Sequence, residues 1–166
     1  LEKVIKRDLT KAVNDIDYEN GFFDVKKKYD IPFDYVFYPA QFWSHKNHIY
    51  ILNGIKLLED MHGIKLGVIF SGIDRGNKQY VMEYAKKTKL TDRIVFAGFV
   101  SDSDIPYLYR QSLALVMPTY FGSTNMPPLE AFQLGVPVLY SNIDGAKEQL
   151  DKAAFLLNIN DVYSFV

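Results

Sequence analysis

Short, continuously apolar segments alternate with amphipathic segments along most of this chain, and that alternation limits the folds it can adopt. The candidate strands are apolar at consecutive positions rather than at every second one, which is typical of strands covered on both faces, as in a parallel sheet. They are residues 35–38, 66–71, 94–97, 113–117, 136–140 and 154–157. The segments between them predict strand–helix–strand units with right-handed crossovers.

Five segments between these strands have the apolar spacing of helices. They are residues 47–61, 77–89, 103–110, 128–134 and 144–150. In the first, Ile51, Leu52, Ile55 and Leu58 form one apolar stripe, and Gly63 is suited to end the helix in the left-handed conformation. The whole pattern predicts an α/β fold, a Rossmann-like doubly wound parallel sheet of about six strands with helices on both faces.

The two ends of the chain differ from its middle. Residues 1–30 are polar, mixed and weakly periodic, and the chain begins with Leu1 and ends with the apolar Val166. We therefore expect a piece of a longer protein. Residues 1–30 would lead in from an absent N-terminal half, and residues 31–166 would form one domain.

The composition argues against several classes of function. The formal net charge is -1, which gives no overall field for binding nucleic acid or an anionic membrane. The chain has no cysteine, and its three histidines lack the spacing of metal ligands, so neither a disulfide nor a zinc motif is expected. No apolar run approaches the ~18 residues of a membrane-spanning helix.

The loop after the first predicted strand carries Lys46 directly before a predicted helix. Ligands of doubly wound sheets bind beyond the carboxyl ends of the strands, so such loops are the places to search. A helix N-terminus already has partial positive charge, and a lysine there is explained if an anion such as a diphosphate neutralises both. The alternative is an exposed lysine without a ligand.

The next two loops offer weaker signals. The loop after the second strand holds Gly72, which permits a close approach of backbone to a ligand, and Arg75, whose side chain could reach a phosphate. A plain turn is the alternative. The loop after the third strand runs to Val100, where small and apolar residues suit the flat face of a base.

The loop after the fourth strand is the most distinctive. Ser123, Thr124 and Asn125 supply hydroxyl and amide groups suited to a sugar next to a phosphate, and two prolines then open a helix. Glu130 falls in the first turn of that predicted helix, where its carboxylate can accept two hydroxyl hydrogen bonds, such as those of a ribose. The helix dipole favours a glutamate there without any ligand, so a structural role is the alternative.

Two segments resemble a known family. The runs PTYFGSTNMPPLEAFQLGVPVLYSN and YPAQFWSHKNH are similar to the C-terminal domain of group 1, or family 4, retaining glycosyltransferases of the GT-B type. The resemblance extends over about residues 33–160. It implies that the domain binds a nucleotide-sugar donor, that Lys46 grips the diphosphate and that Glu130 holds the ribose.

The resemblance implies roles for other positions as well. Four neighbouring residues match the family loop that presents backbone N–H groups to sugar and phosphate: Ser123, Thr124, Asn125 and Met126. Gly72 and Val100 match positions that approach the phosphate and the base. The first glutamate of the family's pair falls on Gly122, and the family arginine falls near Ala40 or Gln41.

The implied reaction is the retaining transfer of a hexose from a nucleoside diphosphate sugar to a hydroxyl acceptor. The acceptor would be bound by the missing N-terminal domain, so the isolated chain is expected to be inactive. Lys46, Arg75 and helix N-termini would stabilise the leaving diphosphate, and no metal or other cofactor is expected. The expected location is the cytoplasm, and contact of the parent protein with the inner face of a membrane is left open.

Three alternatives stay open at the level of sequence. Another GT-B enzyme, such as a sugar-nucleotide epimerase or a phosphorylase, would keep a similar nucleotide site. A degenerate module that only binds would explain Gly122 in place of a glutamate. A receiver or flavodoxin-like domain would share the fold class, but the acidic cluster that a receiver needs after its first strand is missing.

Overall fold

One parallel sheet organises the protein. The computed structural model describes residues 23–122, 126–150 and 152–166, without the side chain of Lys147. The strands are β1 (Tyr35–Pro39), β2 (Gly67–Ser71), β3 (Ile94–Gly98), β4 (Leu115–Met117), β5 (Val138–Ser141) and β6 (Phe155–Leu157). Their order is β3-β2-β1-β4-β5-β6, and all neighbours are parallel. The predicted doubly wound α/β sheet is confirmed.

Of the described helices, one precedes the first strand, and the others connect the strands. The helices are α1 (Val25–Lys28), α2 (His48–His62), α3 (Lys78–Lys87), α4 (Ile105–Arg110), α5 (Met126–Gln133) and α6 (Ala146–Leu150). Short 3₁₀ helices occupy Ser44–Lys46, Thr91–Arg93 and Val162–Phe165. The five predicted helices are present with ends shifted by no more than two residues, whereas α1 was not predicted.

The central strands are covered on both faces. β2, β4 and β5 are buried at every position, which explains their continuous apolar sequence. In β2 the side chains of Val68, Ile69 and Phe70 are fully buried. Burial of each such side chain stabilises the fold by roughly 1.5–3 kcal/mol. The edge strands β3 and β6 are more exposed.

Helix α2 ends as its sequence predicts and packs against the end of the chain. Gly63 adopts a φ of 67° and donates its N–H to the carbonyl of Glu59 at 2.8 Å. Gly54 faces the 3₁₀ helix Val162–Phe165, and a methyl group at this position would overlap the buried Phe165 ring. The helix therefore needs glycine here for close packing rather than for backbone freedom.

Residues 23–30 pack against the rest of the described chain. Val25 in α1 is fully buried in the core. Lys28 Nζ and Tyr29 OH both donate to Asp104 Oδ2, at 2.6 and 2.7 Å. Residues 23–30, which the sequence pattern assigned to a lead-in, therefore pack as part of the domain. The polar composition of residues 23–30 gave no sign of the buried valine or of three long-range hydrogen bonds, the third from Gln111 Nε2 to the carbonyl of Phe23.

Helix α5 also begins earlier than predicted. It starts at Met126, because Pro127 and Pro128 fit a first helical turn without the loss of a hydrogen bond. Glu130 is therefore the fifth helical residue, and the prediction that it lies in the first turn is wrong. Since the dipole acts mainly within the first turn, it accounts less well for a glutamate at this position.

Candidate functional site

Two adjoining pockets open at the carboxyl end of the sheet, where the strand order reverses between β1 and β4. The larger, here called the Glu130 pocket, has a volume of about 610 Å³. The smaller, the Lys46 pocket, has about 260 Å³. Pro39 at the end of β1 and Pro127 in α5 line both. Ligands of doubly wound sheets bind at such a switch point.

The Lys46 pocket is built mainly by the loop after β1. It is lined by Pro39, Ala40, Gln41, Trp43, His45, Lys46, Met117 and Pro127. Lys46 is the last residue of the 3₁₀ helix Ser44–Lys46, and hydrogen bonds hold both its backbone N–H and its backbone carbonyl. Its N–H donates to the carbonyl of Trp43 at 3.0 Å, and its carbonyl accepts from Tyr38 OH at 2.9 Å. The half-buried side chain thus extends from a rigid base.

The Lys46 ammonium has no carboxylate partner within the described part of the chain. The ion pairs there are Lys26–Asp34, Lys28–Asp104, Lys56–Asp60 and Arg93–Glu59. Burial lowers the pKa of Lys46 below its ordinary value of 10.5, because protein surroundings solvate an ammonium less well than water does. An anion in the pocket would reverse that shift.

The N-terminus of α2 adds to the positive potential beside Lys46. Its N-cap, Asn47, has a φ of 53° and makes no side-chain hydrogen bond to the first turn. The first N–H groups of α2 therefore lack a side-chain cap. His48 stacks on Phe42 with ring centroids 4.5 Å apart, and burial lowers its pKa to about 4. The ring is neutral at pH 7.

The loop after β4 is tied to the Lys46 turn. The carbonyl of His45 accepts from the N–H of Tyr120 at 2.9 Å and from Thr119 Oγ1 at 3.3 Å. The rings of His45 and Phe121 stack with centroids 4.2 Å apart. These contacts hold the loop that leads to α5 against the loop that carries Lys46.

The Glu130 pocket lies between α4 and α5. It is lined by Pro39, Asp102, Ile105, Pro106, Tyr109, Met126, Pro127, Glu130, Gln133 and Leu134. The partly buried Glu130 carboxylate accepts a hydrogen bond from Tyr109 OH to Oε2 at 2.8 Å. It has no ion pair with any residue that the structure describes.

The loop after β2 packs onto the loop after β1. Gly72 has a φ of 144°, and a Cβ there would lie 2.5 Å from the carbonyl oxygen of Ala40. Its N–H already donates to the carbonyl of Gly98 at 2.7 Å. Arg75 donates from Nε to Gln41 Oε1 at 3.1 Å, and its guanidinium carbon lies 5.6 Å from the Trp43 ring centroid. Arg75 thus reaches the rim of the Lys46 pocket.

Metal ligands and membrane-spanning helices are not found in the part of the chain that the structure covers. No three histidine, aspartate or glutamate side chains among the described residues converge in a way that would hold a metal ion. No described helix combines the length and the apolar character needed to cross a bilayer.

Comparison with known families decides where the chain belongs. The model of the family described as "Glycosyl transferases group 1" matches residues 23–166. The chain belongs to the group 1 glycosyltransferases. This membership confirms the resemblance seen in the sequence and excludes the receiver alternative. It also agrees with the early start of the domain.

Relatives of this group 1 glycosyltransferase are longer than the chain. O-antigen chain mannosyltransferase B of Escherichia coli is 28% identical over 139 residues, which cover 83% of the chain and 36% of that protein. O-antigen chain mannosyltransferase RfbU of Salmonella typhimurium is 29% identical over 127 residues, covering 74% and 34%. The chain thus spans about a third of the length of these relatives.

A solved structure shares the fold of the group 1 domain. Anabaena Alr3699/HepE in complex with UDP matches with a TM-score of 0.71 at 15% identity, over 84% of the chain and 41% of that protein. At this identity the likeness shows the fold alone, which is the Rossmann-like fold of the GT-B glycosyltransferases.

The structure brings together only part of the predicted site. Lys46, Glu130 and Met126 line the two adjoining pockets, and the Met126 side chain is 64% exposed. Gly72 and Val100 line neither pocket. The Gly72 backbone packs on Ala40, and the Val100 side chain is buried, so ligand contact at these two positions stays a prediction. Ser123, Thr124 and Asn125 lie outside the described residues.

Three site residues were not found from the sequence. Tyr109 contacts Glu130, while Gln41 and Trp43 line the Lys46 pocket and contact Arg75. Tyr109 has the helical spacing of a core residue, and nothing in the sequence sets it apart. The Arg75–Gln41 contact joins loops that follow neighbouring strands, and it could have been expected only once the strand order was known.

Proposed function

We propose that the chain is the donor-binding domain of a retaining glycosyltransferase and binds a nucleoside diphosphate sugar across the Lys46 and Glu130 pockets. One observation carries the proposal. A half-buried ammonium without a carboxylate partner and a partly buried carboxylate border adjoining pockets at the switch point of a doubly wound sheet. Opposite charges placed this way suit a ligand with an anionic and a hydroxyl-bearing part.

The diphosphate belongs in the Lys46 pocket. The ammonium and the uncapped N-terminus of α2 both favour an anion, and no described carboxylate competes for Lys46. Arg75 adds positive charge at the rim, where Gln41 and Trp43 hold its guanidinium. Arg75 therefore takes over the function of the family arginine, which is missing near Ala40 and Gln41.

The nucleoside belongs in the Glu130 pocket. Its volume of about 610 Å³ lies within the range of small-molecule sites. Pro39, Ile105 and Pro106 provide an apolar wall for a base. The Glu130 carboxylate is an acceptor for ribose hydroxyls, because an ionised carboxylate offers several lone pairs. The loop that contains Ser123, Thr124 and Asn125 would then contact the sugar and phosphate.

The chemistry is stabilisation of a leaving group. The bond between the anomeric carbon and the diphosphate oxygen breaks, and its electron pair stays on the diphosphate. The oxygen of the acceptor hydroxyl bonds to the same face of that carbon, which retains its configuration, and the hydroxyl proton passes to the leaving diphosphate. Lys46, Arg75 and the α2 N-terminus would stabilise the charge that develops, with no role for a metal or other cofactor.

The acceptor site lies outside this domain in the proposal. The relatives are about three times as long as the matched region, which leaves room for a second domain of comparable size. We expect that N-terminal domain to bind a hydroxyl acceptor in glycan biosynthesis and the chain alone to transfer no sugar. A location in the cytoplasm, with contact to the inner membrane face through the other half, fits relatives named for O-antigen synthesis.

Calorimetry with UDP, GDP and ADP tests the proposal. We expect the chain to bind at least one of them, and Lys46→Ala to weaken that binding by about 10- to 100-fold, the usual effect of losing a charge-assisted contact. Lys87→Ala is the matched control, because Lys87 is exposed on α3. Binding of none of the three nucleotides, or equal binding by Lys46→Ala, would reject the site.

A binding-only module is the second candidate. It is favoured by one observation, Gly122 at the position of the family's first glutamate. Such a module would bind the nucleotide as tightly as proposed, yet the full-length protein would release no nucleoside diphosphate from a donor sugar. Donor turnover by the full-length protein with its acceptor domain present separates the two functions.

A further inference from the structure

Tyr109 lies at the base of the Glu130 pocket with its ring locked in the core. The residue is fully buried, and it is also one of the residues that line the pocket. The ring packs edge-on against Phe37 of β1, with centroids 5.0 Å apart and planes at 89°. A side chain held in this way has one accessible rotamer, so its hydroxyl occupies a fixed point.

The hydroxyl makes its short contact with the Glu130 carboxylate. Tyr109 OH donates to Glu130 Oε2 at 2.8 Å, while the carbonyl of Pro127 lies at the limit of hydrogen bonding, 3.5 Å away. Burial, and then the hydrogen bond to Glu130, raise the pKa of Tyr109, so the phenol keeps its proton and remains the donor. No other described residue donates a hydrogen bond to the Glu130 carboxylate.

A glutamate without such a partner would sample several rotamers. The Glu130 side chain is only partly buried and lacks an ion pair with the described residues, so packing and charge alone leave it free to turn. One charge-assisted hydrogen bond from a rigid donor removes that freedom before a ligand arrives. A side chain that is already ordered before the ligand arrives loses less conformational entropy on binding, so the ligand binds more tightly.

We propose that Tyr109 is a positioning residue that fixes the Glu130 carboxylate through Oε2 and leaves Oε1 to accept a hydroxyl of the nucleoside's ribose. The inference rests on the proposed function, since it concerns the ribose end of the same site. It adds a specificity determinant: the Tyr109–Glu130 pair makes binding depend on ribose hydroxyls. A ligand without ribose hydroxyls makes no hydrogen bond to Glu130, so the Tyr109–Glu130 pair does not raise its affinity.

The test compares a ribonucleotide with its 2′,3′-dideoxy counterpart. Wild type, Tyr109→Phe and Tyr107→Phe are titrated with the best binder of UDP, GDP and ADP and with that analogue. We expect Tyr109→Phe to weaken ribonucleotide binding about tenfold and analogue binding less than twofold. Tyr107→Phe is the matched control, because Tyr107 lies in the same helix and its hydroxyl donates no hydrogen bond to any described residue.

A double-mutant cycle separates positioning from general damage to the fold. In the Glu130→Ala background, Tyr109→Phe should change ribonucleotide affinity less than twofold, because the group it positions is gone. If Tyr109→Phe fails to fold, the structure of the wild type with the bound ribonucleotide decides instead: Tyr109 OH on one carboxylate oxygen of Glu130 and a ribose hydroxyl on the other supports the pair, and a ribose that avoids Glu130, or a carboxylate turned away from Tyr109, overturns it.

Several outcomes would overturn the inference. An equal loss for both ligands would show a merely structural tyrosine, and so would an unchanged ribonucleotide affinity in Tyr109→Phe when wild type discriminates against the analogue. The proposed function survives both results. If wild type binds none of the three nucleotides, the proposed function fails and takes the inference with it.

Discussion

The Lys46 side chain is partly buried and has no carboxylate partner among the described residues. Its protonation state should therefore affect how tightly the site binds an anionic ligand. Burial lowers the pKa of the free ammonium, and a bound diphosphate would raise it again. Between the pKa of free Lys46 and its higher pKa in the complex, ligand binding is therefore coupled to the uptake of a proton. Affinity is full below the pKa of free Lys46 and is lost as the pH rises through that range.

Binding of a nucleoside diphosphate should depend on pH through Lys46. Nucleoside diphosphate affinity of the wild type should fall by up to about tenfold per pH unit as the pH rises through the pKa of free Lys46, which burial places below its ordinary value of 10.5. Lys46→Arg should show no such fall, because a guanidinium stays charged. Calorimetric titrations between pH 7 and 10 measure both. Parallel profiles for the two proteins would contradict the role of the ammonium.

The sequence identified a site residue only where that residue type is unusual at its position in the predicted secondary structure. Lys46 before a helix and Glu130 after two prolines stand out in the sequence, and both line the pockets. Tyr109 was not predictable, because a tyrosine at a core position of a helix is ordinary. Its function depends on a hydroxyl at the end of a buried ring, and only the packing of α4 against α5 places it beside Glu130.

At the scale of elements, the loops after β1 and β2 form one unit. They are joined by an isolated bridge between Phe42 and Asp74 and by the N–H of Phe42 donating to the carbonyl of Ile73 at 3.1 Å. Gly72 allows this approach, since a Cβ there would meet the Ala40 backbone. The Lys46 pocket therefore depends on a glycine that does not line it.

Gly72→Ala should damage both the fold and the pocket. We expect a loss of about 2–4 kcal/mol in the free energy of unfolding, since alanine would be strained at this φ and would also collide with backbone. Gly76→Ala is the control: its φ is 92°, yet nothing lies within 4 Å, so strain alone should cost about 1 kcal/mol. Urea denaturation measures the free energy of unfolding of both variants. Equal losses would contradict the close-packing account.

The elements themselves were largely predictable, for reasons visible in their sequences. Continuous apolar runs predicted all six strands, because both faces of the sheet are covered. α1 was missed because a four-residue helix with three lysines has no periodicity to detect. The start of α5 was misplaced because Met126 carries no start signal and Pro127 and Pro128 fit any position of a first turn.

At the scale of the molecule, strand order creates the site. β1 and β4 are neighbours although two strands separate them in sequence, and this adjacency brings the loop with Lys46 against the loop that leads to Glu130. The hydrogen bonds from Tyr120 and Thr119 to His45 then fix the two loops together. The periodicity of the sequence predicted a doubly wound sheet, and the general rule for such sheets predicted which of its edges binds ligands.

A structure of the chain bound to the tightest binder of UDP, GDP and ADP would show directly whether the nucleotide lies across the Lys46 and Glu130 pockets. We expect the diphosphate within hydrogen-bond distance of Lys46 Nζ, the ribose on the Glu130 carboxylate and the base against the apolar wall of the Glu130 pocket. A nucleotide bound elsewhere on the domain, or one whose phosphates avoid Lys46, would contradict this expectation.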